Sequence, residues 1–257
     1  MITISIDPVA FTIGSLEVRW YGIFVALAIL TVVLWTAWQV KRGASITYDT
    51  VFTAALVGIP SGLVLARLLH VIDAWEYYGQ YPGEIIGGGG LTAYGAVLGA
   101  TIGVWVYSQF SKMNFSYFAD VVAPGVILAQ AVGRIGCTIN GCCYGLETLL
   151  PWGIVYTHPN SFCPVGVEVH PTQVYELLWN LIVFGILLRL KGHLKPDGSL
   201  YMVYISLYSV YRLGTDFLRE GTPFLFGLHQ AQTIAIIVLA IAVPLLVLRT
   251  RWVRAEK

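Results

Sequence analysis

The stretch RWYGIFVALAILTVVLWTAWQVKR, residues 19–42, decides the class of this molecule. Arg19 opens it, Lys41 and Arg42 close it, and residues 20–40 between them carry no charge. A helix needs about 20 largely apolar residues to cross the hydrocarbon core of a bilayer. Working outward from this first segment, placed at about 17–40, six more apolar segments follow. They lie near 48–72, 91–111, 115–137, 170–190, 198–219 and 227–249. The composition agrees. Of the 257 residues, 57% are apolar and only 11% charged, against roughly 45–50% and about 25% in a soluble domain. So little charge cannot wet the surface of a soluble protein of this length, and the mean hydropathy of +0.73 says the same. The expectation is an all-α integral membrane protein, one polytopic domain over residues 1–257, with about seven spanning helices.

The charges orient the chain. Lys41 and Arg42 follow the first segment, Lys112 the third, Lys191 and Lys195 the fifth, and Arg249, Arg251, Arg254 and Lys257 the seventh. The alternate connections, 73–90 and 138–169, hold no Lys or Arg. The positive-inside rule then puts the N-terminus outside and the C-terminus in the cytoplasm. Residues 1–16 also lack Lys and Arg, and the first apolar run starts too late and runs too long for a secretory signal. A net charge of +1 offers no face for nucleic acid. No internal repeat is visible, so the inverted-repeat signature of many transporters is missing.

The connection 73–90 collects Trp75, Tyr77, Tyr78 and Tyr81. Two readings stand side by side: an amphipathic segment in the outer interface, or a plain loop. Gly87, Gly88, Gly89 and Gly90 follow, a flexible entry where a ligand can approach the backbone. No strand precedes them and no Gly-Lys-Ser/Thr follows, so they are not a nucleotide loop.

Five arginines, Arg19, Arg67, Arg134, Arg212 and Arg219, fall in the outer half of the membrane or at its outer surface, where orientation does not explain them. Charge inside a span is costly and marks a function or a pair. Snorkelling to the interface accounts for Arg19 and for Arg219; Arg134 and Arg212 are assigned a functional role. In the sixth segment Tyr201, Tyr204, Tyr208, Tyr211, Arg212, Thr215, Asp216 and Arg219 recur at helical spacing as one polar stripe, with Asp216 able to pair with Arg212 or Arg219. Gln173, Glu176 and Asn180 form a shorter stripe in the fifth, with Glu176 as its counter-ion. Arginine suits phosphate because its planar fork donates two hydrogen bonds at once. The residues alone therefore describe a membrane protein that grips an anionic headgroup from the outer side.

Gly133-Arg134-Ile135-Gly136-Cys137-Thr138-Ile139-Asn140-Gly141-Cys142-Cys143-Tyr144-Gly145 resembles the signature of the prolipoprotein diacylglyceryl transferase family. Further stretches agree in order: Arg19-Trp20-Tyr21-Gly22, Gly89-Gly90-Leu91-Thr92-Ala93-Tyr94-Gly95, His170-Pro171-Thr172-Gln173-Val174-Tyr175-Glu176, Tyr208-Ser209-Val210-Tyr211-Arg212 and Asp216-Phe217-Leu218-Arg219. The resemblance implies a bacterial plasma-membrane enzyme with its active site toward the outer side. It implies transfer of a diacylglyceryl group from phosphatidylglycerol to the lipobox cysteine in the signal peptide of a lipoprotein precursor, releasing glycerol phosphate. It implies no cofactor and no metal. Carried over residue by residue, Arg134, Arg212, Tyr94 and Tyr21 are the catalytic set. Asn140, Gly95, Gly145, Glu176, Gln173, Tyr208, Asp216 and Arg219 are the substrate-binding set, and membrane lipids are further partners. Tyr94 stands where many members have histidine, Cys137 where many have Asn, and Cys142 where many have Glu, which marks a divergent branch. Because the attacked sulfur belongs to the substrate, Cys137, Cys142, Cys143 and Cys163 are not required as nucleophiles. Neighbouring cysteines chelate one ion poorly; a disulfide from Cys142 or Cys143 to Cys163, or buried free thiols, are the two readings. His70, His158, His193 and His229 have no motif support and read as interfacial or loop residues. The competing functions are a family member with another acceptor and a non-enzymatic lipid or anion transporter.

Overall fold

The computed structural model describes residues 2–14, 16–87, 90–219 and 224–253. Its helices are α1 (Trp20–Lys41), α2 (Tyr48–Asp73), α3 (Trp75–Gln80), α4 (Glu84–Gly87), α5 (Ala93–Phe110), α6 (Phe115–Asn140), α7 (Thr172–Leu190), α8 (Ser199–Thr215) and α9 (Gln230–Arg249). Each of the seven apolar segments is a helix. Five of them, α1, α2, α6, α7 and α9, are long and apolar enough to cross a membrane. The other two are α5 and the 17-residue α8, whose tyrosine and arginine stripe lowers its hydropathy. Helix starts follow local chemistry. Thr47, Thr92 and Asn114 each accept a backbone N–H from the first turn of α2, α5 and α6, at 3.2 Å in every case. Gly141 ends α6 in the left-handed region at φ 71.

The all-helical expectation needs one correction. Short strands form at both ends of the bundle: β1 (Ile2–Ile4), β2 (Val9–Ile13), β3 (Leu16–Arg19), β4 (Ile154–Tyr156), β5 (Glu168–Val169), β6 (Leu194–Lys195) and β7 (Arg251–Trp252). β1 runs parallel to β4 and β4 antiparallel to β5, while β2 and β3 form a hairpin. The segment before α1 and the long 138–169 connection therefore share one end of the bundle. β6 pairs with β7, which ties the chain beyond α9 to the α7–α8 connection at the other end. Connections must satisfy their backbone polar groups somewhere, and pairing two of them is one solution. That second end gathers Arg42, Lys191 and Lys195 around one hollow with Asp120 and Asp197. Arg254 and Lys257 lie outside the described residues.

The connection 73–90 is helical rather than a plain loop. α3 leaves Trp75 and Tyr77 exposed and buries Tyr78, and Tyr81 just beyond it is exposed, the pattern of an amphipathic interfacial segment. Arg67 donates to the carbonyls of Ile85 at 2.8 Å and Gly90 at 3.0 Å, so it braces this connection. Gly88 and Gly89 lie outside the described residues. At Gly90, φ is 98 and an added Cβ would fall 2.1 Å from His70 Nε2, so the His70 ring packs against this glycine.

Helices pair closely where residues are small. An added Cβ at Gly99 of α5 would sit 2.4 Å from the Ser61 carbonyl oxygen of α2. α1 packs along α6 in the same way, with Gly125 under the Trp35 ring. The core lies where α6, α7, α8 and α9 meet, around Ile127, Val183, Leu187 and Tyr204. The α1–α6 and α2–α5 pairs pack together at one end, where Phe118 meets Ala54 and Val104, and leave a trough between them elsewhere.

Candidate active site

The trough is a cavity of about 610 Å³. Val25, Ile29, Val33, Ile59 and Val97 are among the apolar side chains along it. Its polar end brings together Tyr21, Tyr94, Arg134, Glu176, Tyr208, Arg212, Asp216, Arg219 and His229. An elongated apolar wall ending in a charged pocket has the outline of a lipid with its headgroup.

Three helices supply the charged centre. Arg134 of α6 and Arg212 of α8 are each 8% exposed, and Glu176 of α7 is 3% exposed. The Glu176 carboxylate stands between the two arginines: Oε1 is 2.7 Å from Arg134 Nη2, and Oε2 is 3.7 Å from Arg212 Nη1. Tyr208 donates its hydroxyl to the same Oε1 at 3.2 Å. Glu176 thus serves helices other than its own, wider than the role given to it from spacing. Arg212 also donates through Nη2 to Asp216 Oδ1 at 2.9 Å, the four-residue spacing read from the stripe. The alternative pairing of Asp216 with Arg219 is not the one formed. The second oxygen of Asp216 lies 2.9 Å from His229 Nδ1 at the start of α9. The set contains two arginines and two carboxylates, with a histidine on its rim.

Two donors on cavity residues, the Tyr94 hydroxyl and Arg212 Nε, form no hydrogen bond of good geometry among the described residues, although the Ser209 hydroxyl stands beside Tyr94. Both residues line the cavity. Buried polar groups are nearly always paired, and these two atoms expose almost no surface of their own although their residues line the cavity. Tyr94 sits edge-on to Tyr208 at 5.4 Å, which fixes its ring.

The remaining sequence-picked residues lie around this centre. Asn140 is buried at the end of α6, and its Oδ1 is 3.4 Å from Arg19 Nη1. Arg19 also lies over the Phe162 ring and reaches the Asn160 carbonyl, so it is held at the strand-bearing end. Gln173 is buried and donates to the Cys142 carbonyl at 2.8 Å. Gly145 and Gly95 do not line the cavity. An added Cβ at Gly145 would meet the Leu218 carbonyl at 2.6 Å, and one at Gly95 the Ala66 Cα at 2.5 Å. Both permit close packing that positions the site.

The four cysteines are free, so the disulfide reading is not the one the structure takes. Cys163 is buried beside Ile154, Tyr156 and Val169, and burial pushes its thiol up to about 11. Cys137, Cys142 and Cys143 cluster instead, and Cys137 and Cys143 line the cavity. Among the histidines, His193 stacks on Trp252 and His158 approaches Asp7, as loop residues do. His229 was missed. Its neighbour Asp216 is thirteen residues away in the chain, and no local spacing announces such a pair.

The family model for prolipoprotein diacylglyceryl transferase matches residues 8–248. The chain belongs to this family. A relative named phosphatidylglycerol–prolipoprotein diacylglyceryl transferase, from Dehalococcoides mccartyi (strain ATCC BAA-2266 / KCTC 15142 / 195), is 51% identical over 98% of this chain and 96% of its own length. One of the same name from Clostridioides difficile (strain 630) is 37% identical over 90% of each chain. A third, from Symbiobacterium thermophilum, is 35% identical over 94% of this chain and 92% of its own. The resemblance read from the signature thus extends along nearly the whole diacylglyceryl transferase chain, and the protein is a transferase.

Proposed function

We propose that this chain transfers the diacylglyceryl group of phosphatidylglycerol to the lipobox cysteine thiol of a lipoprotein precursor. The observation that carries the reading is the pair of buried arginines, Arg134 and Arg212, held by Glu176 at the charged end of an apolar cavity. The acyl chains occupy the trough between the α1–α6 and α2–α5 pairs, entering sideways from the bilayer. The phosphate meets Arg212 and Arg134, with Tyr94 and Tyr21 as further donors. Glu176 and Asp216 hold the two guanidinium groups in place, which is the preorganisation that electrostatic catalysis needs. The substrate thiolate attacks the glyceryl carbon, forming the C–S bond as the C–O bond to phosphate breaks. The electron pair of that bond leaves with glycerol phosphate, whose growing charge the arginines stabilise, and the thiol proton ends on the released phosphate or solvent. Gln173 and Asn140 act as positioning residues through the 141–143 turn and Arg19, and Tyr208 through Glu176. Arg219 lies on the cavity rim, where an acidic or headgroup oxygen passes.

The chain is read as one domain of seven spans in a bacterial plasma membrane. The strand-bearing end and the active site face outward, and the end with Arg42, Lys191 and Lys195 faces the cytoplasm, as the Lys and Arg distribution supports. The deciding experiment incubates purified protein with phosphatidylglycerol and a lipobox peptide and measures the peptide mass. A gain of one diacylglyceryl group on cysteine is the expected result. Lipid uptake or movement without any mass gain would favour a transporter instead.

A further inference from the structure

Three thiols stand beside Arg134 without a part in phosphate binding. The Sγ atoms of Cys137, Cys142 and Cys143 all lie within 4.8 Å of one another. Cys137 is on the last turn of α6, and the other two are on the turn that follows. Adjacent residues ordinarily point their side chains apart, which is why the sequence argues against a shared ion. The backbone here overrides that. Gly141 turns the chain out of α6 at φ 71, and Cys143 then adopts φ 63, a left-handed conformation uncommon for a residue with a side chain. Such strain costs about 1–3 kcal/mol and persists only where the surroundings impose it. Two hydrogen bonds from the start of α7 impose it: Gln173 Nε2 to the Cys142 carbonyl at 2.8 Å, and Thr172 Oγ1 to the Cys143 carbonyl at 2.6 Å. Gly141 itself is locked, since an added Cβ would fall 2.1 Å from Ser161 Oγ. The convergence of the sulfurs is built by the fold.

We propose that Cys137, Cys142 and Cys143 form a binding site for one soft, thiophilic metal ion of the Zn²⁺ class. Thiolate sets select such ions over hard cations. A Zn–S bond of about 2.3 Å puts the sulfurs of a three-thiolate site roughly 4 Å apart, so the trio closes by under about 1 Å through side-chain rotation alone. Three thiolates around a divalent ion leave one negative charge, and the Arg134 guanidinium, 3.7 Å from Cys137 Sγ, stands ready to balance it. Cys137 and Cys143 face the cavity, which leaves a fourth coordination position open toward it.

The site is read by binding and does not depend on the transfer reaction. Reduced full-length protein in detergent is titrated with Cd²⁺ while the ultraviolet sulfur-to-cadmium absorption is followed. One equivalent saturates the signal. Affinity falls at least about tenfold in each of Cys137→Ser, Cys142→Ser and Cys143→Ser, and is unchanged in Cys163→Ser. No sulfur-to-cadmium band, or a band that depends on Cys163, overturns the proposal. Should the serine variants not accumulate, maleimide labelling of the unaltered protein asks the same question. Cd²⁺ must slow labelling of Cys142 and Cys143, and equal rates with and without it overturn the site.

Discussion

Replacing Tyr94 with phenylalanine separates function from stability at this site. The Tyr94 hydroxyl is buried beside the Ser209 hydroxyl and forms no hydrogen bond of good geometry among the described residues. A buried unpaired polar group carries a desolvation penalty of about 1–3 kcal/mol. Phenylalanine removes that penalty, fills nearly the same volume and keeps the edge contact with Tyr208, now at 5.4 Å. The free protein should therefore be as stable as before, or more so. With phosphatidylglycerol bound, the hydroxyl gains a charged phosphate acceptor, an interaction of about 1.5–3 kcal/mol. Its loss lowers kcat/KM by about 10- to 150-fold. The assay is peptide lipidation by mass, paired with thermal unfolding of both proteins in the same detergent. Tyr94→His, which restores an N–H donor, should recover much of the loss. Near-normal kcat/KM in Tyr94→Phe would refute the role of the hydroxyl. A parallel fall in stability and activity would make Tyr94 a packing residue.

Arg134→Lys and Arg212→Lys keep the charge but lose the fork that reaches a carboxylate and a phosphate together. Each should cost about tenfold or more in kcat/KM, and near-normal turnover in a folded variant would remove bidentate binding there. Glu176→Gln leaves two buried arginines without their shared carboxylate, a loss of about 3–5 kcal/mol; an unchanged unfolding temperature would show that solvent already screens them. Gly99→Val drives a side chain into the Ser61 carbonyl 2.4 Å away. It should destabilise the α2–α5 pair by about 1–3 kcal/mol or more, read as a lower unfolding temperature. Reporter fusions after residues 112 and 257 should signal cytoplasm and one near 155 the outside; a cytoplasmic signal at 155 would invert the site.

Membrane insertion, the positions of the seven helices and the family were all legible in the sequence. Apolar runs bounded by charge act locally, and a run such as residues 20–40 has no alternative to a helix in lipid. Arg134 and Arg212 stood out because charge inside a span is conspicuous, and the structure brings both to one cavity. What tertiary structure alone decided is who meets whom. Helical spacing links Arg212 to Asp216, but nothing local links Glu176 to Arg134, which meet between separate helices, or Asp216 to His229, which join the end of α8 to the start of α9. It also sorted the glycines of the motifs: Gly145 and Gly95 are there for close packing. The cysteines show the limit best. Adjacent Cys142 and Cys143 should diverge by ordinary backbone geometry, and only the left-handed turn pinned by α7 brings them to Cys137. A dihedral angle imposed by a distant helix leaves no trace in the local sequence.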